Sequence, residues 1–558
     1  MQRDIAGLSS KQFDIAVIGG GIYGACVAWE AASRGLSVAL VEKNDFAWAT
    51  SANSLKTIHG GFRYLQNMDL ARIRESVVER RNLMYMAPHL VHPLPVLVPA
   101  YGHSMRGLEA LSAGLLAYEV LSADRNRLSD PSKYIPSGRR LSTNEVLERL
   151  PGIPKKGLSG GIVFYDAQVY NSERLVIAFL EAASRAGACL ANYAEVTGLL
   201  LDGGQVTGLV VMDRESGLNF QVRSRLVINC AGPWANCITA MAGKNGSQPV
   251  PGLARAVNVI VPAIFDDYAV GLPGKNNYQV NGAANKTNLL FVSPWRGYSV
   301  AGTLYTPHNL PPDQLNVTGG ELRFLLQQLN QAYPPADLSL ENITFVHVGL
   351  LPLTEAYPQQ PAFALDRRYH IIDHRREGRD GLWTVVGVKY TTARDVAQKV
   401  ITRALIRLNK HFRRSVSAKM RLPGGEIEDF NRFADGAVDS CPQGLPAHLV
   451  RSLVHNYGSE YPRVLACFDP HDSQGQSLPG DLALLRAEVL HAVRFEMAVK
   501  LADVVLRRTE LGSAARPARS VLQLCASEMA RELGWDEARI TREIEEVERI
   551  YHWNGRES

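Results

Sequence analysis

The 558-residue sequence predicts an α/β protein with a Rossmann-like, doubly wound sheet, an antiparallel-sheet cap and an all-α C-terminal domain. Three observations support this prediction. Near the N-terminus, an apolar run leads into glycines spaced as G-x-G-x-x-G, an Ala-rich helical segment and a second apolar run. Strand-like runs separated by turns recur over residues 250–350. From about residue 425 onward, the segments are typical of helices with charged outer faces.

The first motif has the order strand, glycine turn, helix, strand, acid. Its apolar run suits a buried parallel strand. Of the glycines, Gly19 permits a tight turn, Gly21 lets a pyrophosphate approach the backbone, and Gly24 lets the helix pack closely on the strand. Glu42 follows the second strand, where a carboxylate can accept hydrogen bonds from an adenosine ribose. This order predicts a dinucleotide site, the alternative being a glycine-rich turn in some other α/β protein.

The composition is that of an ordinary globular protein too long for one hydrophobic core, so two or three domains are expected. With 60 Lys and Arg against 55 Asp and Glu, the net charge of +5 is too small to indicate a nucleic-acid partner. It is compatible with an anionic substrate or an anionic membrane surface. The seven cysteines form no C-x-x-C pair, which favours a reduced cytoplasmic setting. No metal site is predicted.

Any membrane contact is expected to be peripheral. The N-terminus lacks the apolar core of a signal peptide, and no run of about 18 uncharged apolar residues is present. Residues 105–121 are apolar at helical spacing, which fits a core helix or an amphipathic helix lying on a membrane. The basic stretch 403–421 is either a solvated face or a contact with acidic lipid. The predicted localisation is cytoplasmic, with peripheral attachment to the inner face of the plasma membrane left open.

Small and hydroxyl side chains are dense after the second strand. Thr50, Ser51 and Ser54 can donate hydrogen bonds to phosphates, and glycines at 60 and 61 let the backbone come close to a flat ring. Much later, an apolar strand ends in Ala-Gly-Pro at residues 231–233, where the chain would return beneath a nucleotide. These stretches are candidates for one cofactor site.

The motifs resemble those of FAD-dependent glycerol-3-phosphate dehydrogenases of the quinone-reducing type, within the D-amino-acid-oxidase-like flavoproteins. The resemblance begins with residues 19–24, Glu42, Ala-Thr-Ser at 49–51, and Lys56 followed by His-Gly-Gly-Phe-Arg-Tyr-Leu at 59–65. It continues to near residue 550, through the similar stretches 229–234, 383–394 and 493–509. The resemblance implies that FAD, rather than NAD, occupies the glycine loop.

The motifs and the resemblance together assign a set of positions to FAD. These positions are Gly19, Gly21, Ile22, Tyr23, Gly24, Glu42, Lys43, Thr50, Ser51, Ser54, Lys56, His59, Gly60, Gly61, Val196, Ala231, Gly232, Trp234, Gly387, Lys389, Tyr390 and Thr391. A helix beginning near Thr391 would stabilise the reduced isoalloxazine ring through its N-terminus. The family has Gly-Gly-Lys just before this helix, and the chain departs from that pattern at Val388.

The resemblance also implies an activity, the oxidation of sn-glycerol 3-phosphate to dihydroxyacetone phosphate by hydride transfer to flavin, with electrons passed to quinone. This reaction needs a substrate carbon held over the flavin, a route for the hydroxyl proton, and cations for the phosphate. Positions that match the family's site are Arg63, Tyr64, Arg367 and Lys389, each of which could instead be a surface ion-pair partner. The expected partners are a small phosphorylated polyol and a quinone, and a homodimer is left open.

Three departures from the family favour a different substrate. The substrate-clamping arginine of the family's Gly-x-Arg-Pro-Leu motif is Leu351 here, a family histidine falls on Asn258, and Leu304 interrupts a Gly-Thr-Thr-Asp pattern. Losing a buried arginine fork would cost about 3 kcal/mol, roughly a hundredfold in binding. The first alternative is therefore a related flavoprotein that oxidises another secondary alcohol, a hydroxy acid or an amine. The second is an FAD-binding protein with a decayed catalytic site.

The predicted domains are discontinuous, since the cap interrupts the cofactor domain. The FAD-binding domain comprises residues 11–100, 160–255 and 350–424, the cap 101–159 and 256–349, and the helical domain 425–558. Within the helical domain, helices are predicted over 446–456, 482–510 and 521–551.

Overall fold

The computed structural model describes residues 1–103, 107–243, 247–274, 279–280, 288–355, 362–441, 445–470 and 479–552. Its strands are β1 (Gln12–Ile18), β2 (Val38–Val41), β3 (Thr57–Ile58), β4 (Val91–Tyr101), β5 (Arg139–Leu141), β6 (Leu158–Val169), β7 (Cys189–Ala191), β8 (Ala194–Asp202), β9 (Gln205–Asp213), β10 (Asn219–Asn229), β11 (Leu253–Pro262), β12 (Ala269–Gly274), β13 (Gln279–Val280), β14 (Asn288–Trp295), β15 (Tyr298–His308), β16 (Phe345–Pro352), β17 (Ala362–Phe363), β18 (His370–Asp373) and β19 (Leu382–Val386).

The α-helices are α1 (Ile5–Ser10), α2 (Ile22–Ser33), α3 (Leu70–Met86), α4 (Leu108–Leu121), α5 (Thr143–Arg149), α6 (Ser172–Arg185), α7 (Ala235–Ala240), α8 (Gly319–Ala332), α9 (Ala393–Arg407), α10 (Phe430–Asp439), α11 (Ala447–Tyr457), α12 (Tyr461–Leu465), α13 (Gly480–Phe495), α14 (Leu501–Asp503), α15 (Arg519–Leu533) and α16 (Glu537–Ile550).

The first sheet contains the predicted strand–helix–strand motif. Its strand order is β18-β19-β10-β1-β2-β7, with β10, β1 and β2 in parallel. Ile15 on β1 lies opposite both Leu226 and Val38. All of β1 after Gln12 is buried, as expected for a parallel strand covered on both faces. Helices α2, α6 and α9 cover one face, where Trp29 packs on Phe179 with ring centroids 5.4 Å apart. The predicted doubly wound core is thus confirmed.

The second sheet is largely antiparallel and carries the cap. Its order is β16-β11-β15-β14-β12-β4-β6-β3. Helices α5 and α8 pack on one face, and α4 packs on the other. The strands β4 and β6 pair along most of their lengths within this sheet. Both strands fall almost entirely within the predicted cofactor domain, so the predicted boundaries near residues 100 and 160 do not follow sheet membership. The domain limits remain a prediction.

The C-terminal part is helical, as predicted. Helix α11 matches the predicted helix 446–456 to within one residue, but the other two predicted helices are divided. The predicted helix 482–510 is broken after α13, where Met497 adopts a left-handed φ of 56°, and it resumes as α14 followed by a π-helical turn over Val504–Arg508. The predicted helix 521–551 is split into α15 and α16 at Gly534, whose φ is 69°. A π-helical turn changes the directions of successive side chains, and here it directs Arg507 and Arg508 into the protein.

A buried ion network joins this helical part to the first sheet. Asp45, in the loop after β2, accepts hydrogen bonds from Arg508 Nη1 and Nη2 at 2.8 Å each and from Arg507 Nε at 2.5 Å. Arg507 also contacts Asp503 at 2.7 Å, and the Tyr193 hydroxyl donates to Asp503 at 2.6 Å. Burial alone would raise the pKa of Asp45, but Arg508 and Arg507 outweigh it and lower that pKa to about 2. The carboxylate is therefore held ionised in the interior.

The helix predicted near 105–121 begins at Leu108, and residues 104–106 lie outside the described chain. Leu115 and Tyr118 pack into the protein, whereas Leu116 and Val120 are 69% and 72% exposed. The helix thus has one core-facing side and one apolar side that faces outward. None of the helices in the described part of the chain combines the length and apolar character needed to cross a bilayer.

Candidate active site

The glycine turn sits where the two predicted nucleotide motifs meet. A side chain on Gly24 would place its Cβ 1.8 Å from the Gly19 carbonyl oxygen, and one on Gly19 would lie 2.7 Å from the carbonyl oxygen of Cys230. Glycine is therefore required at both positions, because backbone comes within contact distance of backbone. The Ile22 N–H donates to Ser51 Oγ at 3.0 Å, so a hydroxyl already stands at the N-terminus of α2. The turn is shaped to accept a pyrophosphate.

Ala231, Gly232 and Trp234 continue from Cys230 beside this turn. The Cα of Ala231 would lie 3.2 Å from a Cβ on Gly19, and Gly232 has a left-handed φ of 55°. The strand that ends in Ala-Gly-Pro thus returns beside the glycine loop, in the position that the sequence predicted for it.

Glu42 follows β2, and its carboxylate uses only part of its hydrogen-bonding capacity within the protein. It accepts hydrogen bonds from Gly20 N at 2.7 Å, from Asn44 N at 2.9 Å and from Trp48 Nε1 at 3.0 Å. Burial raises its pKa above the ordinary glutamate value, and these three donors act against that rise. Two carboxylate oxygens offer about four acceptor sites, so capacity remains for a ribose hydroxyl. The neighbouring Lys43 is engaged with Asp313 at 2.7 Å.

Tyr23 ties the first motif to the last one. Its hydroxyl donates to the Lys389 carbonyl at 2.8 Å and accepts from the N–H groups of Val388 and Lys389 at 3.2 Å each. A Cβ on Gly387 would lie 2.1 Å from the Tyr23 ring, which explains the glycine there. Position 388 contributes its backbone N–H to this contact, so valine preserves the contact despite the departure from Gly-Gly-Lys.

Replacing Tyr23 with phenylalanine is expected to weaken FAD binding about tenfold. The change leaves one carbonyl and two N–H groups without their shared partner, at a cost of about 1–3 kcal/mol. A fluorescence titration of the apoprotein with FAD measures the effect. Tyr134→Phe, which removes a hydroxyl from a side chain that is 45% exposed, is the control. Equal affinities for the two variants would contradict the bridging role of Tyr23.

The turn that carries His59 and Gly60 is fixed by a buried carboxylate. Asp166 on β6 contacts His59 Nδ1 at 3.0 Å and accepts from Gly60 N at 2.6 Å, and Arg80 Nη1 lies 3.3 Å from the same carboxylate. Burial alone would raise the pKa of Asp166, but His59 and Arg80 outweigh it and the net pKa is lowered. Asp166 and Arg80 are not among the residues predicted from the sequence, although an acid inside an apolar strand run is a usable signal.

Several residues assigned to FAD direct their side chains elsewhere. The Lys56 side chain is buried, with Nζ 2.7 Å from Glu173 Oε1 and 2.9 Å from Ser172 Oγ. The Tyr390 hydroxyl donates to the Ser172 carbonyl at 2.7 Å, and Val196 packs in the core beside the β8–β9 hairpin. These side chains hold the fold together, so for Lys56, Tyr390 and Val196 the backbone remains the predicted cofactor contact.

The remaining hydroxyls are engaged with the chain itself. Thr50 Oγ1 donates to the Leu350 carbonyl at 3.2 Å and accepts from Leu350 N at 3.1 Å. Ser54 Oγ accepts from Lys56 N at 3.1 Å. Thr391 is buried just before α9, whose N-cap is Thr392, close to the predicted helix start. The assignment of all these positions to FAD stays a prediction.

The other three predicted catalytic residues, Arg63, Arg367 and Lys389, lie around Tyr64. Lys389 Nζ lies 4.0 Å from the ring centroid. Burial raises the pKa of Tyr64 to about 12, and the charges of Arg72, Arg63 and Arg367 act against that rise. Arg63 and Arg367 are exposed. Together, Arg63, Arg72, Arg367 and Lys389 form what we call the cationic cluster.

Arg72, which the sequence analysis missed, organises this cluster. Its guanidinium lies 5.5 Å from the Tyr64 centroid, pairs with Asp69 at 3.2 Å and donates to the Arg367 carbonyl at 2.5 Å. In the sequence it is one of several basic residues on α3, and no local pattern distinguishes it.

Lys389 carries an unpartnered amine. Its Nζ is buried and has no hydrogen-bond partner among the residues that the structure describes. Burial lowers the pKa of Lys389 to about 8, and the Arg72 charge acts in the same direction. A neutral amine beside the guanidinium of Arg72 can accept a proton from a bound hydroxyl group.

The three residues that depart from the family pattern lie in different surroundings. Asn258 is buried inside β11, and its Oδ1 accepts a hydrogen bond from Thr303 Oγ1 at 2.7 Å. Leu304 is 3% exposed and belongs to the core beneath the second sheet, where it cannot widen a substrate pocket. Leu351 lies on β16 opposite Ala254 and is half-buried.

Comparison with known proteins agrees with this geometry. A family model described as FAD dependent oxidoreductase matches residues 14–394, and one described as the C-terminal domain of alpha-glycerophosphate oxidase matches residues 415–540. Glycerol-3-phosphate dehydrogenase from Synechocystis is 30% identical over 99% of this chain and 98% of its own length. The chain belongs to the FAD-dependent glycerol-3-phosphate dehydrogenase family. A second relative, glycerol-3-phosphate dehydrogenase 2 from Mycobacterium tuberculosis, is 32% identical over 96% of this chain and 88% of its own length.

A solved structure of this family shares the architecture over nearly the whole chain. The glycerol-3-phosphate dehydrogenase from Bacillus halodurans, complexed with FAD, is 25% identical, has a TM-score of 0.77 and covers 98% of this chain and 96% of its own. Glycine oxidase from Geobacillus kaustophilus, at 19% identity and a TM-score of 0.51, covers 74% of this chain and 99% of its own, and shares the fold alone. The helical C-terminal domain is thus predicted correctly as part of the family's fold.

FAD is the cofactor of the family, and the residues present fit it. The turn at Gly19 and Gly24 excludes any Cβ, the buried Glu42 keeps acceptor capacity, and Lys389 Nζ is a buried donor without a partner in the described chain. Such features suit a ligand with a pyrophosphate, a ribose and an electron-rich ring. When bound, FAD supplies a two-electron acceptor.

Proposed function

We propose that this protein oxidises sn-glycerol 3-phosphate to dihydroxyacetone phosphate, and that the hydride passes to FAD. The observation that carries the proposal is the cationic cluster around Tyr64, next to the turn formed by His59, Gly60 and Gly61. A phosphate dianion needs several cations, and guanidinium groups bind its oxygens in pairs. The chain supplies three arginines there without an arginine at position 351.

Each residue of the cluster has a distinct role in this proposal. The exposed Arg63 and Arg367 bind the phosphate as it enters, and Arg72 holds the Arg367 backbone and the Tyr64 ring in place. The Tyr64 hydroxyl, with its pKa raised to about 12, stays protonated and can donate to the substrate. Lys389, with its pKa lowered to about 8, accepts the proton of the substrate hydroxyl as the hydride leaves carbon.

The test is anaerobic reduction of the flavin. Oxidised yellow protein is mixed with sn-glycerol 3-phosphate, and bleaching at the flavin absorbance maximum is followed. We expect rapid bleaching at about millimolar substrate or below, the usual range for enzyme affinities. If the flavin is reduced by dithionite and not by this substrate, the proposal fails. A panel of hydroxy acids, amino acids and sugar alcohols then tests the alternative that Leu351 favours another substrate.

Arg63→Ala is expected to leave FAD bound and to lower kcat/KM by about a hundredfold, the loss of one charge-assisted contact to phosphate. The measurement is steady-state turnover at several substrate concentrations together with the flavin content. Arg323→Ala, an exposed arginine on α8 in the cap, is the matched control. Undiminished turnover of Arg63→Ala would remove this residue from the site.

The electron acceptor in this proposal is a quinone, and the enzyme reaches it by peripheral contact with a membrane. Exposed apolar side chains support the membrane contact: on α4, Leu116 and Val120 are 69% and 72% exposed, and Met68, shortly after Tyr64 in the chain, is 74% exposed. Apolar side chains exposed on one helix side suit insertion into the interfacial region of a bilayer. Sedimentation with lipid vesicles tests it, and a Leu116→Ser, Val120→Ser variant should bind them more weakly.

A further inference from the structure

Residues from both large sheets meet beside the glycine turn, at the carboxyl ends of β2 and β10. Lys43 follows β2, Trp234 follows β10, and Asp313 lies in the segment 309–318 that joins β15 to α8. The first two residues come from the sheet that carries the glycine turn, and the third comes from the cap. The cap therefore reaches the strand ends on either side of β1.

Asp313 contacts the other two residues through both of its carboxylate oxygens. Its Oδ1 pairs with Lys43 Nζ at 2.7 Å, and its Oδ2 accepts a hydrogen bond from Trp234 Nε1 at 3.1 Å. Burial alone would raise the pKa of Asp313, but Lys43 and Trp234 outweigh it and the net pKa is lowered. The carboxylate is therefore ionised at neutral pH and joins the end of β2 to the end of β10.

Trp48 extends this group of residues to the acid predicted to bind the ribose. The rings of Trp48 and Trp234 have centroids 5.2 Å apart, and Lys43 Nζ lies 4.3 Å from the Trp234 centroid, within the range of a cation–π contact. Trp48 Nε1 donates a hydrogen bond to Glu42 Oε1 at 3.0 Å. We call Lys43, Trp48, Trp234 and Asp313 the adenosine clasp.

The two sides of the adenosine clasp differ in how firmly they are held. On the sheet side, Arg214 Nη1 donates to Asn44 Oδ1 at 2.5 Å and to the Lys43 carbonyl at 3.2 Å, which fixes the loop after β2. On the cap side, the Asp313 side chain is 60% exposed, against 21% for Lys43. Ion pairs of exposed side chains are weak and break readily. Asp313 is therefore the member of the clasp that can separate from the others.

The contacts of Asp313 cross the edge of the sheet at which a dinucleotide binds. In sheets of this kind, the ligand occupies the crevice outside the carboxyl ends of the strands. Because β1 lies between β10 and β2, a bridge from Trp234 to Lys43 passes the glycine turn at the end of β1. The bridging residue belongs to the cap, so the cap and the sheet close this edge together.

We propose that the adenosine clasp closes over the nucleotide end of FAD, and that Asp313 must separate from Lys43 and Trp234 before FAD enters or leaves. Asp313 then controls the rate of cofactor exchange without contacting the reacting atoms. In the closed clasp, Trp48 also holds one oxygen of Glu42 in place for the ribose. The proposal goes beyond the proposed function, because no step of it depends on the substrate.

The experiment measures the rates of FAD release and FAD uptake separately. For release, protein loaded with radiolabelled FAD is mixed with an excess of unlabelled FAD, and the label that stays on the protein is followed at several temperatures below the unfolding midpoint. For uptake, the apoprotein is mixed with FAD and the flavin fluorescence is followed. Asp313→Ala removes both contacts of the cap. Asp267→Ala, at another exposed aspartate of the cap, is the matched control.

We expect Asp313→Ala to release FAD about tenfold faster than the wild type, the effect of losing an ion pair and a hydrogen bond to a charged group. Its uptake of FAD should also be faster, by about threefold or more on the same grounds, because the clasp no longer has to open. Asp267→Ala should match the wild type in both rates. A residue that only binds FAD or supports the fold would accelerate release without accelerating uptake. The proposal is overturned if Asp313→Ala releases FAD at the wild-type rate, if neither protein releases it, or if uptake is not accelerated.

Discussion

Lys389→Met is expected to leave FAD bound and to lower kcat by about a hundredfold to ten-thousandfold, the range that a positioned general base supplies. Methionine keeps much of the apolar length of the side chain and removes the amine. The amine is buried, lies 4.0 Å from the Tyr64 centroid and has no partner in the described ranges, so its loss leaves no internal group unsatisfied. Rapid mixing of the variant with sn-glycerol 3-phosphate measures the rate of flavin reduction directly.

The pH profile distinguishes a base from a binding cation. Burial lowers the pKa of Lys389 to about 8, so the amine is protonated below that value and neutral above it. As a base it acts only when neutral, so kcat/KM of the wild type should rise with pH and level off above about 8. Lys389→Met should lose this rise. A profile that falls through the same range would assign Lys389 to phosphate binding instead, and a rise retained in the variant would exclude it as the base.

Asp45→Asn is expected to lower the free energy of unfolding by about 3–5 kcal/mol, because it leaves two guanidinium groups facing a neutral amide in the interior. Both Asp45 and Arg508 are fully buried, so water cannot replace the lost charge. Because the folded pKa of Asp45, about 2, lies below its ordinary 3.8, the carboxylate stabilises the fold above pH 3.8 and loses this effect as the pH falls towards 2. The midpoints of thermal and urea denaturation measure the change.

Asp435→Asn provides the comparison. Asp435 pairs with Arg451 at 2.6 Å, but the two side chains are 63% and 48% exposed. An exposed ion pair contributes about 0–1 kcal/mol, so this variant should unfold close to the wild type. Equal denaturation midpoints for the two variants would show that the buried network contributes no more than a surface pair.

The parts of the fold that the sequence predicted are those with a local signal. The helix from Ile22 to Ser33 and the strands around it follow from periodicity and glycine spacing over a short stretch. The break after α13 was missed, because it depends on Arg507 and Arg508 reaching Asp45, more than 450 positions away in the chain. Helical propensity alone favours continuing the helix there, and tertiary contacts override it.

The residues of the candidate site also differ in whether a local sequence signal predicts them. Arg63, Tyr64 and Lys389 lie in motifs and could be named from the sequence, whereas Arg72 gains its role from contacts with Tyr64 and Arg367 that no spacing encodes. Lys56 shows the converse case. Its place in a motif predicts a contact with FAD, but its amine is bonded to Glu173 and Ser172 inside the protein, so that contact could come only from its backbone. A motif fixes where the backbone runs, and distant partners decide where a long side chain points.

The hydrogen bonds of the Tyr23 hydroxyl join two parts of the chain that the ribosome synthesises at widely separated times. Its partners at residues 388 and 389 are 365 and 366 positions later in the chain. At translation rates of about 5–20 residues per second, roughly 20 to 70 s separate the emergence of the two halves of this contact. During the first part of that interval, until β10 (Asn219–Asn229) has been synthesised, β1 also lacks this neighbour and presents an open edge. The nascent chain must therefore be shielded before it can capture its cofactor, and loading with FAD is a late event.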